Sequence, residues 1–318
     1  MATDRNKSPL ASTLCPALHC RVKLQGATAS MAEHSVTFMS DGLKLNGILH
    51  VPDGPPGKKY PAFMVLHGFG SNCKSSSCVE PCKMFEAWGY AMLRFDMRGC
   101  GDSEGERANL ICLEQVRDTS NALTFLQSHP SIDPDRIACM GSSFGGAVTV
   151  YTAGVDRRVA AAISAGGWGH GEKKFRGQHP TPEAWKKFTD MLAAGKKHRA
   201  ETGKSLMVPR YDIVPIPPHL RSNVNTTSHQ MMTAETAQSM FDFQANDVVA
   251  NISPRPLLLL HPAVDSVTPT DQSIGLFQHS KQPTELHLIS DADHFLMGEG
   301  NPRVVHILKD WLDRYFPA

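Results

Sequence analysis

"RIACMGSSFGGAV", Arg136–Val148, is the stretch on which the fold turns. An apolar run stops on small residues, turns through a serine and leaves on further small residues. It is either a plain glycine-rich connection or a turn built to raise Ser143 as a nucleophile. The G-x-S-x-G spacing occurs a second time as "GDSEG", Gly101–Gly105, so spacing alone does not choose the serine.

Outward from this stretch the chain alternates in type. Upstream, "HSVTFMS" and "LKLNGILHV" are β-rich runs joined by Asp41-Gly42, a hairpin signal. "PAFMVLH" is a continuous apolar run of the kind buried on both faces of a sheet. Then come a helical stretch "CVEPCKMFEAWG" ending on Gly89, a strand "YAMLRFD" and an amphipathic helix "ICLEQVRDTSNALTFLQSH". Downstream, "SFGGAVTVYTAG" reads as helix and "VAAAISAGG" as strand. The pattern resumes with "RPLLLLH", a helix near "DQSIGLFQHS", the strand "TELHLIS" and a last helix "NPRVVHILKDWLDRYF". This alternation predicts an α/β fold: a mostly parallel, doubly wound sheet with helices on both faces. It lapses between Trp168 and Asn246, where helical stretches surround the connector "VPRYDIVPIPPHL". The expected organisation is a leader or extension over residues 1–30, a core over 31–167 and 247–318, and a helical cap insertion over 168–246.

A serine hydroxyl attacks well only when a base takes its proton and donors hold the resulting oxyanion. In parallel sheets such sites form at the carboxyl ends of strands. Ser143 has a strand before it, a helix after it, and Gly141 and Gly145 at the two crowded positions. Ser142 would put Met140 and Phe144 there instead. Ser103 sits in a polar loop between Asp102 and Glu104, where two carboxylates oppose alkoxide formation; local hydrogen bonding explains it better.

In chain order, Asp265 follows the strand "PLLLLH" and His294 follows the next one. His294 would be general base and then acid, with Asp265 fixing its tautomer. Asp291 and Asp293 are rival acids beside His294, read as turn residues. The N–H of Phe144, at the helix start, and that of Phe69, in "HGFG" after the apolar strand, are the candidate oxyanion donors. An ordinary glycine turn is the alternative for the second.

Composition narrows the class. Hydrophobic residues are 41% and charged residues 20% of 318, and the net charge is +1, which gives no general case for nucleic acid or a membrane surface. No apolar run is long enough to span a bilayer. Eight irregularly spaced cysteines do not suggest a disulfide framework, and Cys73, Cys78 and Cys82 lack a matching histidine pair for metal. A reducing, cytoplasmic compartment, no metal and no cofactor are the expectations, and a homodimer is compatible with them. Between His170 and Arg210 ten Lys/Arg stand against four Asp/Glu. This surplus either draws in an anionic substrate or is a solvated helix face. Trp168 and Tyr211, with Phe69 and Phe175, are candidates for an apolar substrate pocket.

"LHGFGSN", "RFDMRGCGDSEG", "IDPDRIACMGSSFGGAV", "LLLLHPAVDSVTP" and "DADHF" together resemble the α/β-hydrolase superfamily, in its usual order of landmarks and over nearly everything from about residue 35. The chain is most similar to the serine esterase, dienelactone-hydrolase-like and prolyl-peptidase-like branch. The aspartate loop there usually reads histidine-glycine; here it is His261-Pro262. Serine at the nucleophile position sets the chain apart from haloalkane dehalogenases and epoxide hydrolases, which carry aspartate, and from dienelactone hydrolases, which carry cysteine. The resemblance implies acyl transfer through an acyl-enzyme, with a small or medium ester as substrate and thioester or amide as variants. An acyltransferase of secondary metabolism is the alternative, and a non-catalytic ligand-binding homologue is the reading from another class.

Overall fold

Asp41 and Gly42 reverse the chain with φ of 48° and 81°, the paired positive values a two-residue hairpin turn requires. They join β1 (Glu33–Ser40) to β2 (Leu43–His50) in antiparallel register. The computed structural model describes residues 33–297 and 300–318, so the expected leader over 1–30 lies outside the described residues.

After the hairpin, strands and helices alternate as the sequence predicts. β3 (Tyr60–Leu66), α1 (Ser76–Ala87), β4 (Ala91–Phe95), α2 (Cys112–Gln127), β5 (Ile132–Ser142), α3 (Phe144–Val155) and β6 (Val159–Ala165) follow in order. The chain then leaves the sheet through α4 (Gly171–Gln178), α5 (Pro182–Thr202), β7 (Met207–Pro209), α6 (Arg210–Ile213), β8 (Met231–Thr233) and α7 (Ala234–Asp242). It returns as β9 (Leu257–Pro262), α8 (Asp271–His279), β10 (Thr284–Ile289) and α9 (Pro302–Tyr315). The eight sheet strands lie in the order β1-β2-β4-β3-β5-β6-β9-β10. β2 pairs antiparallel with both β1 and β4, and every pair from β4 to β10 is parallel. The expected α/β class and doubly wound sheet are therefore present. One feature of the excursion was missed: β7 and β8 form a small antiparallel sheet of their own among the helices.

The all-apolar strands are buried on both faces because each side chain in turn meets a helical layer. In β3, Ala62, Met64 and Leu66 join the layer of α2, α3 and the excursion, while Phe63 and Val65 join that of α1 and α9. Phe63 meets the rings of Phe85, Tyr90 and Phe316 at 4.8, 5.4 and 5.4 Å. Burying each such ring contributes about 1.5–3 kcal/mol. β5 ends and α3 begins on either side of Ser143, so the sequence stretch that predicts the fold sits at the sheet's centre.

Lys174 of α4 is an exception to apolar burial. It is 1% exposed, with its Nζ 3.9 Å from the Phe175 ring centre and 4.6 Å from that of Trp168, and it donates to Gln178 Oε1 at 3.0 Å. Burial pushes its pKa down to about 7, against the ring faces that favour the cation. Below that pH the folded protein carries a desolvated ammonium. Between about 7 and 10 the unfolded chain binds the extra proton and the folded one does not, so this group makes stability rise with pH. The stability of the wild type relative to Lys174→Met should therefore rise over that interval, on the order of 2–4 kcal/mol. Urea unfolding at both ends checks it; a difference independent of pH would show that Lys174 stays charged.

Candidate active site

β5 enters the site on Gly141 and α3 leaves it on Gly145 because the backbone passes too close to itself for any Cβ. A Cβ on Gly141 would lie 2.3 Å from the carbonyl carbon of Gly145, and one on Gly145 would lie 2.5 Å from the Leu66 carbonyl oxygen. Between them Ser143 takes φ 55° and ψ −115°, a conformation that costs about 1–3 kcal/mol for a residue with a side chain. Its N–H donates to the Ala165 carbonyl at 2.8 Å, so the end of β6 helps to hold the turn.

The three residues expected to meet do so. Ser143 Oγ lies 2.8 Å from His294 Nε2, and His294 Nδ1 lies 2.9 and 3.1 Å from Asp265 Oδ2 and Oδ1. With the imidazole proton on Nδ1, that N–H donates to the carboxylate and Nε2 accepts from the serine hydroxyl. The Asp265 side chain is fully buried and that of His294 is 4% exposed. Burial alone would raise the Asp265 pKa. The charge of His294 and hydrogen bonds from His261 and His294 outweigh it and hold the carboxyl well below the usual range. Asp265 also accepts the N–H groups of Val267 and Thr268, both at 2.8 Å.

Neither rival acid is hydrogen-bonded to the His294 ring among the described residues. Asp293 accepts from the Ser266 N–H and hydroxyl and from the backbone N–H of its neighbour His294, and Asp291 sits at φ 57° in the turn. Ser103 is buried in loop hydrogen bonds, donating to the Asp96 carbonyl at 2.5 Å and accepting from Asn46 N–H at 2.8 Å. His261 was read only as a departure in the aspartate loop. It is fully buried, with Nε2 3.2 Å from Asp265 Oδ2 and 3.0 Å from the Thr268 carbonyl, and Nδ1 2.7 Å from Ser273 Oγ. The Thr268 carbonyl and the Asp265 carboxylate can only accept, so the proton sits on Nε2 and Nδ1 accepts from the Ser273 hydroxyl. No strand-end rule would flag this histidine, four residues before Asp265.

A narrow crevice with about 70 Å³ of free space reaches Ser143 and His294. Phe69 and Ser142 stand beside them, and the excursion supplies Arg210, Val214, Ile216 and Asn223. The Phe69 N–H has no acceptor among the described residues. The Phe144 N–H opens α3, where first-turn amides lack intrahelical partners. His67, fully buried, shapes the Phe69 loop by donating from Nδ1 to Gly68 O at 2.9 Å and accepting the Met97 N–H at 3.1 Å; burial keeps its pKa low. A larger hollow of about 730 Å³ between α5 and α7 is lined by none of the three candidate triad residues, and the chemistry points to the smaller crevice.

Two of the candidate substrate-pocket residues lie away from this crevice. Trp168 does not line the crevice; it is 1% exposed and packs on Phe144 and Phe243, at 5.7 and 6.2 Å between ring centres. Tyr211 lies outside the crevice too, under the Arg221 guanidinium at 4.2 Å from its ring centre. Aromatic identity is a poor guide here because the core needs the same side chains. The basic surplus of the excursion divides in two. Arg176, Lys186, Lys187 and Lys197 are surface groups paired with Glu172, Asp190, Asp212 and Glu201, whereas Lys174 and Arg210 are buried, Arg210 against the crevice.

Gly145→Ala tests the seat of the turn, since its Cβ would meet only backbone. The variant should lose about 1–3 kcal/mol of stability, read from chemical denaturation. Wild-type stability would mean that the turn relaxes without cost.

A profile of the family described as Serine aminopeptidase, S33 (Hydrolase_4) matches residues 57–301. Among characterised relatives, the polyketide transferase grgF of Penicillium sp. is 28% identical over 80% of this chain and 86% of its own length. The thiohydrolase aneE of Aspergillus aculeatus is 27% identical over 81% of this chain and 85% of its own. The crystal structure of the Penicillium protein, an α/β hydrolase, superposes with a TM-score of 0.74 at 25% identity, covering 89% of this chain and 99% of that one. A hypothetical protein of Pseudomonas aeruginosa, PA2218, shares the fold with a TM-score of 0.77 at 22% identity, covering 91% and 95%. With the family profile spanning most of the chain and the sheet order described above, this protein is a member of the serine aminopeptidase S33 family of α/β hydrolases.

Proposed function

We propose that the protein is a serine hydrolase that cleaves a carboxylic ester or thioester of a small or medium acyl group through an acyl-enzyme. One observation carries this reading: the buried relay from Asp265 to His294 to Ser143, with 2.9 and 2.8 Å between its polar atoms, at the mouth of a crevice. Ser143 Oγ attacks the acyl carbon as His294 Nε2 takes its proton, and the anionic Asp265 stabilises the imidazolium. The carbonyl oxygen becomes an oxyanion that the N–H groups of Phe69 and Phe144 receive. The C–O or C–S bond then breaks, and His294 returns its proton to the leaving alkoxide or thiolate. Water, deprotonated by the same imidazole, releases the acid and restores Ser143. The excursion over residues 168–246 acts as the cap that selects the acyl group, because it supplies Arg210, Val214 and Ile216 to the crevice.

A second reading replaces water by an alcohol or amine acceptor. The relatives named as polyketide transferases favour it, those named as thiohydrolases favour the first, and the two share every step up to the acyl-enzyme.

A fluorophosphonate probe should label the wild type once and leave Ser143→Ala unlabelled, by intact-protein mass spectrometry. Equal labelling of both, or none of either, would remove the serine from the mechanism. Free acid in place of a new ester when an alcohol is added to a thioester reaction separates the hydrolase from the transferase. Asp265→Asn should keep the fold by circular dichroism and lose about 10⁴-fold in kcat, because the imidazole loses its orienting anion. Activity close to wild type would move the acid to Asp291 or Asp293.

A further inference from the structure

Arg210 is the most unusual side chain at the crevice. It is 4% exposed, and no carboxylate pairs with it among the described residues. Its two terminal nitrogens donate to backbone carbonyls, Nη2 to Phe69 at 2.5 Å and Nη1 to His229 at 3.1 Å, while Nε–H is buried with no partner. Burial lowers its pKa to about 10, so it remains a cation at neutral pH. A buried guanidinium ordinarily has an anion beside it, since desolvating a charge costs several kcal/mol. Ser228, 5% exposed, also lines the crevice with a buried hydroxyl that has no partner.

The start of α1 also borders the crevice. Ser75, Ser76 and Ser77 line the crevice, the helix has no acidic residue in its first turn, and Ser75 makes no side-chain cap there. An unopposed helix N-terminus of twelve residues favours negative charge. No aspartate or glutamate lines the crevice, and its charged or chargeable residues are Arg210 and His294. A neutral ester would leave the guanidinium without a counter-charge, whereas a carboxylate in the crevice would supply one.

We propose that Arg210, Ser228 and the first turn of α1 form an anion subsite, and that the substrates are acyl esters or thioesters bearing a carboxylate. The inference rests on the serine hydrolase reading for its chemistry but not for its binding. The carboxylate belongs either to the acyl group or to the leaving group, and matched pairs distinguish the two. 4-Nitrophenyl hydrogen adipate against 4-nitrophenyl hexanoate probes the acyl side, and 4-acetoxybenzoate against 4-acetoxybenzamide the leaving-group side.

In at least one pair the wild type should favour the carboxylate by about 10-fold or more in kcat/KM, the scale of one charge-assisted hydrogen-bond pair. Arg210→Met should bring that ratio close to one, whatever it does to the absolute rates through its hold on Phe69. Arg210→Lys should restore part of the ratio, and Ser228→Ala should lower it by a smaller factor while leaving the cation in place. No carboxylate preference in either pair overturns the subsite. So does a ratio that survives in both Arg210→Met and Ser228→Ala, which would leave Arg210 as a clamp on Phe69 alone. Binding is read separately on Ser143→Ala protein by thermal melting with adipate or adipamide. Stabilisation by adipate only, abolished by Arg210→Met in that background, keeps the subsite even if no ester is turned over. Equal response to both ligands overturns it.

Discussion

The close crossing of β5 and α3 is the constraint on which the rest depends. Ser143 is held at a positive φ that its side chain disfavours, and the glycines on either side let the turn press against the carbonyls at the end of β3. A gentler turn would remove the strain and lower the hydroxyl into the layer of helices. The conformational cost is met by the sheet itself, whose central strands are apolar on both faces and fix where β5 must end. The position of Ser143, the candidate nucleophile, is thus a property of core packing, and the loops that carry Asp265 and His294 need only reach a point already defined.

The loops after β3 and β4 are braced by polar side chains of their own. Asp96 accepts from Cys73 N–H at 2.7 Å and Asp102 N–H at 2.8 Å, tying the loop after β3 to the "GDSEG" loop. Arg98 and the fully buried Asp118 join the same region to α2 at 2.6 Å, and Ser40 donates to that carboxylate from the hairpin. The second G-x-S-x-G match is part of this framework. Its serine has both hydrogen-bonding roles occupied by backbone, whereas the Ser143 hydroxyl faces an imidazole. Identical spacing therefore yields a brace in one place and a candidate nucleophile in the other, and the neighbouring secondary structure decides between them.

Elements with strong periodicity and a single structural purpose could be read from the sequence. The hairpin at Asp41-Gly42, the two-sided burial of β3 and the strand ends at Asp265 and His294 all follow from local patterns. The excursion could not be read in the same way. Three-residue strands such as β7 and β8 carry too little pattern to separate them from a proline-rich connector, and their pairing depends on a partner more than twenty residues away. Trp168 shows the other limit. Aromatic and just past the end of β6, it is buried in the core against Phe144 and Phe243. Arg210 went unnoticed for the converse reason. In sequence it is one cation of ten, and only the fold separates it from its solvated neighbours.

The same guanidinium makes the two halves of the site one mechanical unit. Through Nη2 it holds the carbonyl of Phe69, whose N–H is aimed at the developing oxyanion in the mechanism proposed above, and through Nη1 it holds His229. His229 in turn donates its N–H to Gly70 O and has Nε2 2.8 Å from Gly99 O, so the excursion is fastened to both loops at once. A ligand that pairs with the guanidinium acts on a side chain already bonded to the Phe69 loop. On the proposed mechanism, recognition by the excursion and placement of the Phe69 N–H are therefore coupled. A change in the crevice wall that displaces Arg210 breaks or drags its bond to the Phe69 carbonyl, and on the proposed mechanism that would tie selectivity to rate through a single buried cation.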